Sequence, residues 1–324
     1  MRNAVILTGA LRTIRKTIRF LKENVLQNQT DVFICVQNDT AESEDTWKAW
    51  FTSHLGDRML SLQWFHPDRF PGWVQQREVQ LEHMTVENHW KQYLRTSGSM
   101  IEYYQLQLAY MMMSYHEQIH HILYDYVIRA RTDSIYCKPL DFHWLHWTDE
   151  ELGQRLDRIR ADMLSCNKPI TDQSVLMYLM TTLLSDDLLP NLPWIRAECV
   201  PCPTESFPPH TDSTALNRYL REGRYILTLR KNNLYLLRRS LFHMIPTLGS
   251  MYGFLRSPHS DNYWFNAEGQ FRDACYYACL TVFDYSTLFE ERSLEYAGAW
   301  KEEDFFDLEG NVLHPAMLYC VVRR

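Results

Sequence analysis

Toward its end the segment YDYVIRARTDSIY, residues 124–136, carries three charged residues at alternate positions: Arg129, Arg131 and Asp133. The segment begins apolar and reads as a buried β-strand. Side chains alternate across a strand, so the three charges share one side, while Tyr126, Ile128 and Ala130 face the other. Two guanidiniums and a carboxylate at a strand end suit a diphosphate. Arginine forks onto phosphate oxygens through two hydrogen bonds, and aspartate can hold a divalent cation that bridges them. On chemistry alone, an Arg–Asp surface pair is an equal reading.

A second pattern, His116-Glu117-Gln118-Ile119-His120, matches His-Glu-x-x-His. On a helix its two histidines stand one turn apart and could hold zinc, with Glu117 as base. That reading, a zinc metallopeptidase, is the rival. It has no compelling third ligand, and His121 points to another face. The eight cysteines are 35, 137, 166, 199, 202, 275, 279 and 320. Cys199-x2-Cys202 and Cys275-x3-Cys279 offer four thiolates at irregular spacing. Reduced, buried thiols are the expectation.

The elements that must position these residues follow from pattern. Ala4–Thr8 is an apolar strand, too short for the core of a signal peptide, followed by Gly9-Ala10-Leu11-Arg12. Ile14, Ile18, Leu21 and Val25 make a helical stripe. Asp31–Gln37 is a second strand, ending in Asn38-Asp39-Thr40. Ser43–Leu55 is a helix and Leu60–Phe65 a third strand. Strand–helix alternation argues for a parallel α/β sheet of nucleotide-binding type. Ser99–Leu123 is a long helix, its Met111-Met112-Met113 run filling core. Arg160–Ser165 reads as another strand, Asp172–Leu184 and Thr211–Arg221 as helices, Arg224–Leu229 and Asn233–Leu237 as late strands. His143-Trp144-Leu145-His146-Trp147 is core or an aromatic wall for a sugar. The pattern weakens after about residue 240. The expected division is a catalytic domain over 1–240 and an extension over 241–324 that packs on the core or forms a small acceptor-side subdomain.

The 324 residues are 46% hydrophobic, enough for a sizeable core, and carry a net charge of -7. No block of basic residues stands out, so nucleic acid is not an expected partner. No apolar run is long enough to span a membrane.

In order and spacing, the motifs resemble nucleotide-sugar-dependent glycosyltransferases of the GT-A fold, closest to those of large DNA viruses and bacterial polysaccharide clusters. The resemblance covers about the first 135 residues. It rests on Thr8-Gly9-Ala10-Leu11-Arg12, Asp31-Val32-Phe33, Tyr104-Gln105, and Tyr124 to Asp133 as the Asp-x-Asp region. Asp172-Gln173 and Pro209-His210-Thr211-Asp212 fall where such families carry Asp-Gln and Pro-Glu pairs. The chain departs from the usual two acids: Arg131 stands where the first would be, so Asp133 is the one ligand left.

The resemblance implies a single GT-A-like (Rossmann-like) α/β domain with a mixed, mainly parallel sheet flanked by helices. The implied activity moves a sugar from a nucleoside-diphosphate sugar, such as a UDP-sugar, to a glycan or glycoconjugate hydroxyl. Thr8, Gly9, Arg12, Asp39, Arg129, Arg131 and Asp133 would bind nucleotide and diphosphate. Mn²⁺ or Mg²⁺ would sit on Asp133, or the arginines would replace part of its charge. Asp172, then Asp212, would act as the base, and His210, Arg230 and Lys231 would approach acceptor or phosphate. Each has an ordinary reading beside this one: a turn glycine at Gly9, a loop acid at Asp39, helix caps at Asp172 and Asp212, a loop histidine at His210, solvated charges at Arg230 and Lys231. The expected location is cytoplasmic, in the host if viral. A non-enzymatic binding or capsid-associated module is the third reading.

Overall fold

This computed structural model describes residues 2–26, 30–70, 101–136, 142–183, 212–229, 232–251, 267–284 and 319–321, with isolated positions at 75, 78, 81, 82, 139, 140 and 307. The strands are β1 (Asn3–Ala10), β2 (Thr30–Gln37), β3 (Met59–Trp64), β4 (Tyr126–Arg131), β5 (Ser134–Tyr136), β6 (Tyr225–Leu229), β7 (Leu234–Arg238), β8 (Thr281–Asp284) and β9 (Tyr319–Val321). The helices are α1 (Ile14–Asn24), α2 (Glu44–Leu55), α3 (Ile101–His120), α4 (Asp149–Ser165), α5 (Asp172–Thr182), α6 (Ser213–Glu222), α7 (Arg239–Phe242), α8 (Met244–Met251) and α9 (Ala267–Tyr277).

Among the described residues, seven strands form one sheet in the order β3-β2-β1-β4-β7-β6-β8. Only β7 runs against the others. β5 and β9 pair separately, antiparallel. This is the mixed, mainly parallel α/β architecture expected from the sequence.

Both faces of the sheet are covered, which explains the near-continuous apolar strands. Val5 and Leu7 of β1 point into a core shared with α1, α2, α4, α5 and α6. Ala4 and Ile6 point into a second core with α3, α8 and α9. The chain steps outward from β1 to β3, then returns to β4 on the other side of β1. The strand order therefore reverses between β1 and β4, the place where open α/β sheets bind ligands at the strands' carboxyl ends.

Several expectations change. Arg160–Ser165 is not a strand but the end of α4. Leu152, Leu156, Ile159 and Met163 recur at helical spacing and are buried, and Thr148 with Glu151 forms a capping box at the helix start. Of the methionine run, Met113 is buried, but Met111 is exposed. Trp144, Leu145 and Trp147 are buried core, which leaves no aromatic wall there. After residue 240 the chain supplies α7 to α9, edge strand β8 beside β6, and β9 beside β5. No helix among the described residues is long and apolar enough to cross a membrane.

Candidate active site

At the β1–β4 switch point the two strands lie in parallel register, with Thr8 opposite Arg131. The contact is sealed just beyond the strands: Thr132 N donates to Thr8 O at 3.0 Å, and Thr132 Oγ1 donates to Ala10 O at 2.6 Å. Gly9 has φ +135°, and a Cβ there would lie 2.3 Å from Thr132 Oγ1. Only glycine meets both conditions, which gives the turn glycine of the sequence a specific cause. Gln105 of α3 donates to Gly9 O at 3.1 Å.

β4 stops at Arg131, and Asp133 lies in the turn that follows. The charge row is present, but its members hold one another. Arg131 Nε and Nη2 each donate at 2.8 Å to the two oxygens of Asp133. Arg131 Nη1 donates to Asn233 Oδ1 at 2.9 Å. Glu102, near the start of α3, pairs with Arg129 at 2.8 Å and lies 3.8 Å from Arg131. Arg129 also donates to the carbonyls of Asn232 and Asn233. Two cations thus face two anions. Burial raises the Asp133 carboxyl pKa, but the Arg131 charge and hydrogen bonds outweigh it and hold it below its ordinary range. This is a buried network, unlike the surface pair weighed on chemistry alone.

Exposure grades the network. The Arg129 side chain is 1% exposed, Asp133 12% and Arg131 26%. An incoming ligand meets Arg131 first. Thr8 is fully buried and its hydroxyl has no hydrogen-bond partner, so of the expected nucleotide contacts it lies beneath the surface. Arg12 is half exposed, its guanidinium 4.0 Å from Asp39. Asp39 accepts from the backbone N–H groups of Leu11 and Arg12 at 3.0 and 3.1 Å. It ties the end of β2 to the turn after β1.

A divalent cation does not fit Asp133 as placed. Both carboxylate oxygens are engaged by the guanidinium, and no group of three or more metal-ligating side chains gathers among the described residues.

Asp172 and Asp212 stand at the starts of two helices. Asp172 is the exposed first residue of α5, where Thr171, not Asp172, caps the helix. Asp212 is the cap of α6 and accepts from Ala215 N at 2.8 Å. His210, Arg230, Lys231, Cys199 and Cys202 lie outside the described residues. In the His-Glu-x-x-His helix, Glu117 is buried and held by Arg239 Nε at 2.8 and 2.9 Å and by Arg239 Nη2 at 2.5 Å. It also accepts from Tyr124 N. A carboxylate so engaged cannot serve as a base on zinc-bound water.

Glu102, Asn232 and Asn233 were not found by sequence reasoning. Glu102 stands only three residues before Gln105, so the start of the long helix was the available signal. Nothing local marks Asn232 or Asn233.

The fold and site together define an α/β protein with a buried charged network at its topological switch point. No family model matches the chain, and no curated protein matches it. Among solved structures it is similar to the mannosyltransferase Ktr4p from S. cerevisiae in complex with GDP, at 15% identity over 87% of this chain and 69% of that one, with a TM-score of 0.37. A second structure of Ktr4p gives 14% identity over 88% of this chain and 68% of that one, with a TM-score of 0.34.

Proposed function

We propose that the chain is a nucleotide-sugar-dependent glycosyltransferase that moves a sugar from a nucleoside-diphosphate sugar to a hydroxyl of a glycan or glycoconjugate. The observation that carries this reading is the meeting of Thr8 and Gly9 with Arg131 and Thr132 at the carboxyl ends of β1 and β4. It is the switch point of the sheet, and its most exposed row member is a cation. The order of motifs along the first 135 residues supports the same reading.

The chemistry sets what the residues must do. Breaking the bond from the anomeric carbon to the diphosphate leaves negative charge on the leaving group and cationic character on the sugar. Arg131 and Arg12 supply fixed positive charge toward the diphosphate. The Gly9 turn fixes the end of β1 against Thr132 beside it. Asp39 holds that turn in place. On the acceptor side a carboxylate must take the hydroxyl proton. We assign it to Asp172, then Asp212, from the order of the motifs along the chain.

A thermal-shift screen of nucleotide sugars tests the proposal, followed by chromatography of the nucleotide released from any that stabilise the protein. Stabilisation by one donor class with release of its nucleoside diphosphate is expected. Failure of every nucleotide sugar to bind would contradict it and favour a non-enzymatic role.

A further inference from the structure

The fork between Arg131 and Asp133 bears on how a diphosphate is held, an inference that rests on the glycosyltransferase reading. Asp133 binds the guanidinium as a phosphate would: two oxygens, two N–H groups, both at 2.8 Å. The guanidinium is the more exposed partner, and Asn233 fixes its third nitrogen at 2.9 Å. We propose that the diphosphate binds by displacing Asp133 from the Arg131 fork, so that Arg131 takes the place of a bridging divalent cation and nucleotide binding needs no metal.

The Arg131 fork keeps both of its hydrogen bonds in the exchange, since two phosphate oxygens replace the two carboxylate oxygens. A phosphate carries more charge than the carboxylate it displaces, which favours the exchange. Glu102 stays closer to Arg129, at 2.8 Å, than to Arg131, at 3.8 Å. Asp133 has a second cation near it, Arg129, whose charge also lowers its carboxyl pKa. The proposal reverses the sign expected of an aspartate that ligates metal. There, loss of Asp133 abolishes binding; here it removes a competitor.

The test is calorimetric titration of GDP and of UDP into the full chain, first in excess EDTA and then with MnCl2, with Asp133→Asn and Arg131→Lys alongside. One nucleotide is expected to bind with the same Kd in EDTA and in Mn²⁺. Asp133→Asn should bind it severalfold tighter. Arg131→Lys keeps the charge but loses the fork, and should bind about tenfold weaker or worse. Binding that tightens tenfold or more when Mn²⁺ is added would overturn the inference and leave the glycosyltransferase reading standing. Failure of both nucleotides to bind in either condition would overturn both. If a variant does not fold, the EDTA and Mn²⁺ titrations of the unsubstituted chain decide alone.

Discussion

Gly9 and Thr132 meet across the switch point so closely that a Cβ on Gly9 would lie 2.3 Å from the Thr132 hydroxyl oxygen. That oxygen is not free to give way, because it donates to Ala10 O at 2.6 Å, while Thr17 Oγ1 holds the Thr132 carbonyl at 2.6 Å. The floor of the candidate site is therefore a tied knot of β1, α1 and the turn after β4.

Gly9→Ala meets two penalties, the positive φ and the clash. The backbone strain alone is worth about 1–3 kcal/mol. Urea denaturation should show a loss of at least that size. Adding Thr132→Ala relieves the clash but not the strain, so the double variant should cost less than the sum of the singles.

Glu117 and Arg239 form a buried ion pair at 2.5 Å. Glu117→Gln leaves Arg239 without its counter-charge and should cost about 3–5 kcal/mol in chemical denaturation. His120→Ala, at an exposed position, should change stability by less than about 0.5 kcal/mol. Stoichiometric zinc by elemental analysis, lost in His120→Ala, would instead restore the peptidase reading.

Much of the fold could be read from the sequence because its signals are local. β1, β2 and β4 are apolar runs, and α1 carries its stripe at 14, 18 and 21. Arg160–Ser165 resembles a strand only in isolation; the Leu152–Leu156–Ile159–Met163 spacing it belongs to makes it the end of α4. The site was legible only in outline. Arg129, Arg131 and Asp133 were visible as a row, but their partners are distant in sequence: Arg131 meets Asn233 across 102 positions, and Asn232 donates to Glu102 across 130. Whether a charge serves a ligand or another charge depends on such contacts, which no local pattern encodes.

Asp133 also sets a pH dependence. Its folded pKa lies below the ordinary 3.8, so the unfolded chain binds its proton more readily. The stability it contributes is full above the unfolded value and is lost as pH falls through the lower, folded value. Asp133→Asn should flatten the fall of stability in that acid window. Denaturation midpoints measured from neutral pH downward in both proteins check this.

Burial pushes the Cys35 thiol up to about 12, whereas Cys166 is exposed. The thiolate is the reactive form. Brief alkylation of the native protein at mildly alkaline pH should label Cys166 and spare Cys35 in peptide mass spectra. In denaturant both should react.

The most direct measurement of the central claim is a crystal structure of the chain soaked with GDP or UDP at millimolar concentration. The account predicts diphosphate density at the carboxyl ends of β1 and β4, beside Gly9 and Arg12 and within hydrogen-bond reach of Arg131. Density lying away from both strand ends, or no density for either nucleotide, would contradict it.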